Sequence, residues 1–260
     1  MKNDFKKIIF VLVYILSIIL LVYLCSFTYS IFLNKLSVEN YFTTNTVFSI
    51  NKIVLFSSAN AEVTVNTNNT TTINNLIQYT DIAIFINNNT SEYTLENTLK
   101  SVQIDDIKFN TLPKSGKANL YYKDLNYFST PTILEENIID KKLNFDVSSE
   151  DEIDYSKPIL YNNCANPITI SYKNSDLISS YTINNDSPLF YDGSLLKKCN
   201  IILNNLKCNF SFYIIIENNL GYKYRCPVSI NIPLSDISTS IYSGTYTYIY
   251  NPNYSFYLYT

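Results

Sequence analysis

The sequence predicts a mainly β protein: an N-terminal single transmembrane helix followed by two β-sandwich-like domains, the second Ig-like in size and strand count. Three observations carry this. Lys2, Lys6 and Lys7 precede an uncharged run from Ile8 to Thr28. Beyond it, Ile, Val, Phe and Tyr recur at alternate positions in stretches bounded by Asn, Asp, Gly and Pro. Seven such stretches crowd into residues 159–233, the strand density of a small two-sheet sandwich.

The run from Ile8 to Thr28 spans about 30 Å as a helix, the hydrocarbon thickness of a bilayer. The lysine bias places the N-terminus in the cytoplasm and the rest outside. A retained signal anchor is favoured over a cleaved signal peptide, because the run exceeds the usual apolar core. Leu-Cys-Ser-Phe-Thr-Tyr-Ser at 24–30 is also bulky where a peptidase needs small side chains. Residues 1–35 are therefore read as cytoplasmic tip and anchor, and 36–45 as a stalk.

Composition removes several function classes. Residues 36–260 hold 21 acidic side chains against 15 basic ones, with no basic cluster to follow a phosphate backbone, so nucleic acid is not an expected partner. The chain has no His, which removes Ser-His-Asp and Cys-His catalysis and imidazole metal ligation. The abundance of Asn, Ile, Tyr and Lys matches the coding bias of an AT-rich genome, as in low-GC bacteria.

The exported part divides by pattern. Residues 46–149 are read as a first β domain, with a long strand over Val47–Phe56, a short one at Val63 and Val65, and a solvated Asn/Thr loop at 66–75. A central strand follows over Ile77–Ile86. Tyr93–Phe109 mixes helical and strand spacing, and its branched residues favour strands. Leu143, Phe145 and Val147 alternate as a half-exposed strand. The acidic run at 150–158 reads as a linker, since it lacks the register of a calcium loop. Residues 159–260 form the second domain, with strands expected at 159–161, 168–172, 178–183, 189–191, 199–203, 208–217 and 222–232. Asn218-Asn219-Leu220-Gly221 suits a hairpin turn that Gly221 closes with a positive φ.

Cys164, Cys199, Cys208 and Cys226 all fall in the second domain. An even number in an exported module favours disulfides over zinc, whose ligand pairs lie closer together. A two-residue turn at Asn204-Asn205 would put Cys199 and Cys208 on one face. A four-residue turn at 218–221 would put Cys208 and Cys226 on opposite faces. The expected pairs are therefore Cys199–Cys208 and Cys164–Cys226.

From Tyr242 onward the chain carries seven tyrosines and no charge. Tyr242, Tyr246, Tyr248, Tyr250, Tyr254, Tyr257 and Tyr259 are the candidate interaction surface, on a hairpin turned at Asn251-Pro252-Asn253. The function read from this is a membrane-anchored extracytoplasmic binding or structural accessory protein of the cell envelope. Its expected partners are the bilayer, through residues 8–28, and an envelope protein or glycan. No cofactor, metal ligand or catalytic residue is assigned. The alternative is a carbohydrate- or cell-wall-acting enzyme using carboxylates, to which Asp105-Asp106 or Glu135-Glu136 could contribute an acid, although adjacent residues on a strand point opposite ways and neither doublet is itself a catalytic pair.

Orientation is directly testable. Replacing Lys2, Lys6 and Lys7 by Glu should impair or invert insertion, read as lost protease access to residues beyond 36 in intact protoplasts. Unchanged access would show that these lysines do not set the topology.

Overall fold

The computed structural model describes residues 2–44, 47–68, 70–90, 94–148, 159–161, 167–184, 188–232 and 241–259. Two units emerge, Met1–Asn45 and Thr46–Thr260.

The first unit is one helix, α1 (Lys2–Thr44), which carries the helical conformation through the expected stalk. Within it Ile9–Leu36 has a mean hydropathy of 2.8 and no buried residue, and is long and apolar enough to cross a membrane. Two of its hydroxyls are satisfied locally: Ser17 Oγ donates to the Val13 carbonyl at 2.8 Å and Thr28 Oγ1 to that of Cys25 at 2.9 Å. This back-bonding is what an apolar solvent demands of a polar side chain.

The second unit contains β1 (Phe48–Val65), β2 (Thr70–Asn88), β3 (Leu99–Thr111), β4 (Lys117–Tyr122), β5 (Leu143–Ser148) and β6 (Ile159–Tyr161). It continues with β7 (Ile168–Asn184), α2 (Ser194–Lys198), β8 (Cys208–Asn218), β9 (Lys223–Ile232), β10 (Tyr246–Tyr250), β11 (Tyr254–Ser255) and β12 (Tyr257–Leu258). Sheet one has the order β10-β1-β2-β7-β4, with β11 also on β1; sheet two has the order β12-β9-β8-β3-β5-β6. Among the described strands, all pairings are antiparallel except β5 with β6. Each sheet takes strands from both sides of the acidic run at 150–158, which itself lies outside the described residues.

Inner faces of the two sheets share one apolar core that includes Ile53, Leu55, Ile82, Ile84 and Ile170 from sheet one, and Val102, Phe210, Ile214 and Val228 from sheet two. The rings of Tyr172 and Phe210 stack across the interface at 6.1 Å. A second cluster joins Ile73, Leu76 and Leu177 at the far ends of β2 and β7 to Leu195, Leu196, Cys199, Leu206 and Ile241. Here the sequence expectation of strands at 189–191 and 199–203 gives way to α2 and a 3-10 turn over Leu203–Leu206. The apolar side chains at 195, 196 and 199 follow helical spacing, and Asp192 Oδ1 accepts from the Ser194 N–H at 2.8 Å. Gly193 permits this packing, because a Cβ there would lie 2.0 Å from the Ile241 carbonyl oxygen.

Other elements merge or move. Of the Asn/Thr stretch expected as a loop at 66–75, residues 66–68 do form a turn after β1, but β2 begins at Thr70, where the β-branched threonines 70, 71 and 72 pair with β7. Asp105-Asp106 interrupts β3 as a register shift, with Asp106 at φ 53°. The C-terminal strands do not pair with each other. β10 and β11 lie end to end along β1, and β12 crosses to β9, so residues 254–258 bridge the two sheets. Phe256, between the two bridging strands, is fully buried in the shared core.

Phe256→Ala should therefore lower stability by about 3–5 kcal/mol, through lost burial and the cavity left behind. Denaturant unfolding of residues 46–260 measures this, and an unmoved midpoint would show that the tail contributes nothing to the core.

Candidate functional site

Strict alternation in β8 and β9 gives sheet two one buried face and one wet face. The wet face carries Asn209, Ser211, Tyr213 and Glu217 from β8, beside Arg225, Pro227, Ser229 and Asn231 from β9. Arg225 is the only arginine in the chain. Its guanidinium lies 5.1 Å from the centroid of the Tyr213 ring and 4.9 Å from that of Tyr259, within cation–π range of both. Tyr257 stands opposite Arg225 in the β12–β9 register, and the Tyr259 N–H donates to the Lys223 carbonyl at 2.7 Å, which fixes the tail against this edge. Beside Tyr213 opens a cleft of about 380 Å³, bordered by Asp106, Lys108, Pro227 and Tyr254.

Two polar groups flank the aromatic cluster. Asn110 Nδ2 donates to Asn209 Oδ1 at 2.6 Å, and Asn209 Nδ2 donates to Asn231 Oδ1 at 2.7 Å, forming an amide row across three strands. At the other end Glu217 pairs with Lys100 at 2.6 Å and with Lys223 at 3.6 Å. The hydrogen bond from Lys100 holds the Glu217 carboxyl below its usual range.

The seven candidate tyrosines do not form one patch. Tyr257 and Tyr259 join the Arg225 cluster. Tyr246, Tyr248 and Tyr250 stack along edge strand β10 with centroids 6.3 and 5.9 Å apart. Tyr250 and Tyr254 pack partly against the shared core, and burial raises the Tyr250 hydroxyl above its ordinary pKa. Tyr242 lies with the second cluster, at the edge of a shallow cleft that also involves Lys197 and Ile202. Sequence reading missed Tyr213 and Arg225. Their signal was a lone arginine on the polar rows of the two cleanest alternating strands.

The cysteine expectation is corrected. Cys199, Cys208 and Cys226 are free, buried thiols, so neither expected disulfide forms; Cys164 lies outside the described residues. Cys199 sits in the turn after α2 and faces the second cluster, whereas Cys208 faces the shared core. The register Glu217↔Lys223 makes the connection one residue longer than a turn over 218–221, which reverses the face of every later residue. Cys226 consequently shares the inner face with Cys208. It lies opposite Ile214, six positions along β8 from Cys208, and about 20 Å along a strand is far beyond disulfide reach. Gly221 keeps its expected role, with φ 87°.

The carboxylate doublets are engaged at the surface. Asp106 pairs with Lys108 at 2.7 Å. Glu135 accepts from Lys173 and, at 3.0 Å, from the Tyr121 hydroxyl. Among the described residues, no group of three or more acidic or thiol side chains is arranged to hold a metal ion.

A different titratable pair is buried outright. Asp81 of β2 and Lys123, the residue after β4, are 0% and 2% exposed, with Nζ 3.3 Å from Oδ2. Ser171 Oγ donates to Asp81 Oδ1 at 2.6 Å and the Ser129 N–H to Oδ2 at 2.8 Å. Lys123 Nζ donates to the carbonyls of Thr130 and Thr132 at 2.8 and 2.7 Å. Loss of water pushes the Asp81 carboxyl up and the Lys123 amine down, each against the pull of its partner.

Comparison with family models, curated proteins and solved structures finds no match to this chain.

The thiols generate a pH prediction. Burial raises Cys226 from 9.0 to about 12, and Cys199 and Cys208 to about 11. The folded state thus holds these protons more tightly than the unfolded chain, so their contribution is complete below pH 9 and is lost as pH climbs toward 11–12. Thermal melts should fall across that window, and Cys226→Ala should flatten the fall. After denaturation without reductant, Cys199, Cys208 and Cys226 should each accept one alkyl group; an unalkylated pair would restore a disulfide.

Proposed function

We propose that the chain is a membrane-anchored accessory protein of the cell envelope, with its N-terminus cytoplasmic and its β unit outside, that binds a hydroxyl-rich polymer on the wet face of sheet two. The observation that carries this reading is Arg225 held between Tyr213 and Tyr259 on a half-exposed strand surface. A guanidinium on a structural surface is ordinarily left to water or paired with a carboxylate. Here it lies within cation–π range of two rings, Tyr257 extends the aromatic area, and the amide row of Asn110, Asn209 and Asn231 continues it with donors and acceptors. Sugar rings stack on such faces and hydrogen-bond to such edges.

The helix supports the display half of the reading, since its apolar span is long enough to hold the β unit at a membrane. The lysines before it support the orientation. The continuation of the aromatic cluster into the amide row, across β3, β8 and β9, supports an extended ligand.

Sedimentation of the β unit with insoluble envelope glycan is the test. A Tyr213→Ala, Arg225→Ala, Tyr259→Ala triple variant with an unchanged melting temperature should bind roughly tenfold more weakly or worse. Equal sedimentation of variant and parent would remove this face as the contact surface.

A further inference from the structure

We infer that Lys123 and Asp81 join through an intramolecular isopeptide bond, an amide between Nζ of Lys123 and Cγ of Asp81. The geometry is that of a reactant pair. Lys123 Nζ makes its two short bonds to the Thr130 and Thr132 carbonyls, at 2.8 and 2.7 Å, while the carboxylate oxygen is farther off at 3.3 Å. A charge-assisted bond between ammonium and carboxylate would ordinarily be the shortest of the three. A neutral amine has two hydrogens and one lone pair. With both hydrogens directed to the carbonyls, the lone pair is left for the Asp81 side.

The carboxyl is held as an electrophile. Ser171 Oγ donates to Oδ1 at 2.6 Å, where negative charge develops when nitrogen adds to the carbon, and the Ser129 N–H donates to Oδ2 at 2.8 Å. Both side chains are sealed from water, at 0% and 2% exposure, which shifts the pair toward neutral amine and acid and suppresses hydrolysis. Permanent juxtaposition replaces a bimolecular encounter. The lysine is also pinned through its backbone, because Thr169 Oγ1 donates to the Lys123 carbonyl at 2.5 Å.

The step balances without a further reagent. A proton passes from the ammonium to Oδ2, giving amine and carboxylic acid. The Nζ lone pair attacks Cγ, and Oδ1 takes the negative charge beneath Ser171. Collapse expels Oδ2 as water, carrying its own proton and one from nitrogen. The remaining N–H stays beside the threonine carbonyls. The product ties the middle of β2 to the end of β4, a crosslink in an unit whose described cysteines are unpaired.

The full-length chain, purified in detergent and denatured, should weigh one water less than its sequence. Tryptic digestion should leave Lys123 uncleaved and yield segment 53–100 joined to segment 118–141. Lys123→Arg and Asp81→Ala should each restore the full mass, and Asp81→Asn should lose ammonia in place of water. A parent protein of full sequence mass with separate peptides would overturn the inference, whether or not the variants fold. So would a one-water deficit mapped to any other residue.

Discussion

A lysine and a carboxylate removed from water on the outer face of sheet one constrain how the chain leaves that sheet. Burying an amine and a carboxyl group, free or joined, requires that their donors and acceptors be met within the fold. Asp81 and Lys123 meet that requirement only with the help of residues 129–132, which follow β4 and cover this face. The segment is held further by Phe128 against Phe56, at 6.4 Å between centroids, and by Glu135 against Lys173 and Tyr121. Ile139 then donates its N–H to the Leu120 carbonyl at 2.8 Å, and the chain moves on to β5 in sheet two. The connection between the sheets is thus specified by a polar centre, while the apolar cores act on the opposite side of the strands.

Interleaving follows from that crossing. β1 and β2 belong to sheet one and β3 to sheet two; the chain returns to sheet one for β4 and again for β7. Neither sheet can be completed from a continuous stretch of sequence. The last strands make the dependence stronger, because β11 needs β1 and β12 needs β9, with Phe256 buried between them. Pairings this distant in sequence carry the loop-closure cost typical of slow-folding β proteins. The tail closes the sandwich along the side of β1 and β9.

What the sequence disclosed was local. The uncharged run, the alternation in Leu143–Val147 and in β8 and β9, and the positive φ of Gly221 all depend on neighbours within a few residues. Partner choice was not legible, since alternation names a strand's faces but not the strand beside it. Cysteine parity depended on one residue in the length of the 218–222 connection, a difference no propensity encodes. Asp81 stood unnoticed between Thr80 and Ile82 because a single carboxylate in an apolar strand reads as a lapse in the pattern. Its partner lies 42 positions away, after a different strand, and only the β2–β7–β4 register brings the two together. Arg225 and Tyr213 were hidden for the same reason: their meeting depends on the β8–β9 ladder, and Tyr259 reaches them only through β12.

The same tail therefore serves two faces of one sheet. Phe256 points into the shared core, while Tyr257 and Tyr259 lie on the opposite side beside Arg225, as alternation along a strand requires. On the proposed reading, the aromatic contact surface exists only when the sandwich is closed, because the strand that brings two of its rings is the strand that joins the sheets. The wet positions of β8 and β9 can change side chain without disturbing the core behind them. Those of the tail cannot be displaced without opening it. A polymer gripping Tyr257 and Tyr259 would pull on Phe256, and the burial of that ring would resist; binding at this face and closure of the fold would then stabilise one another.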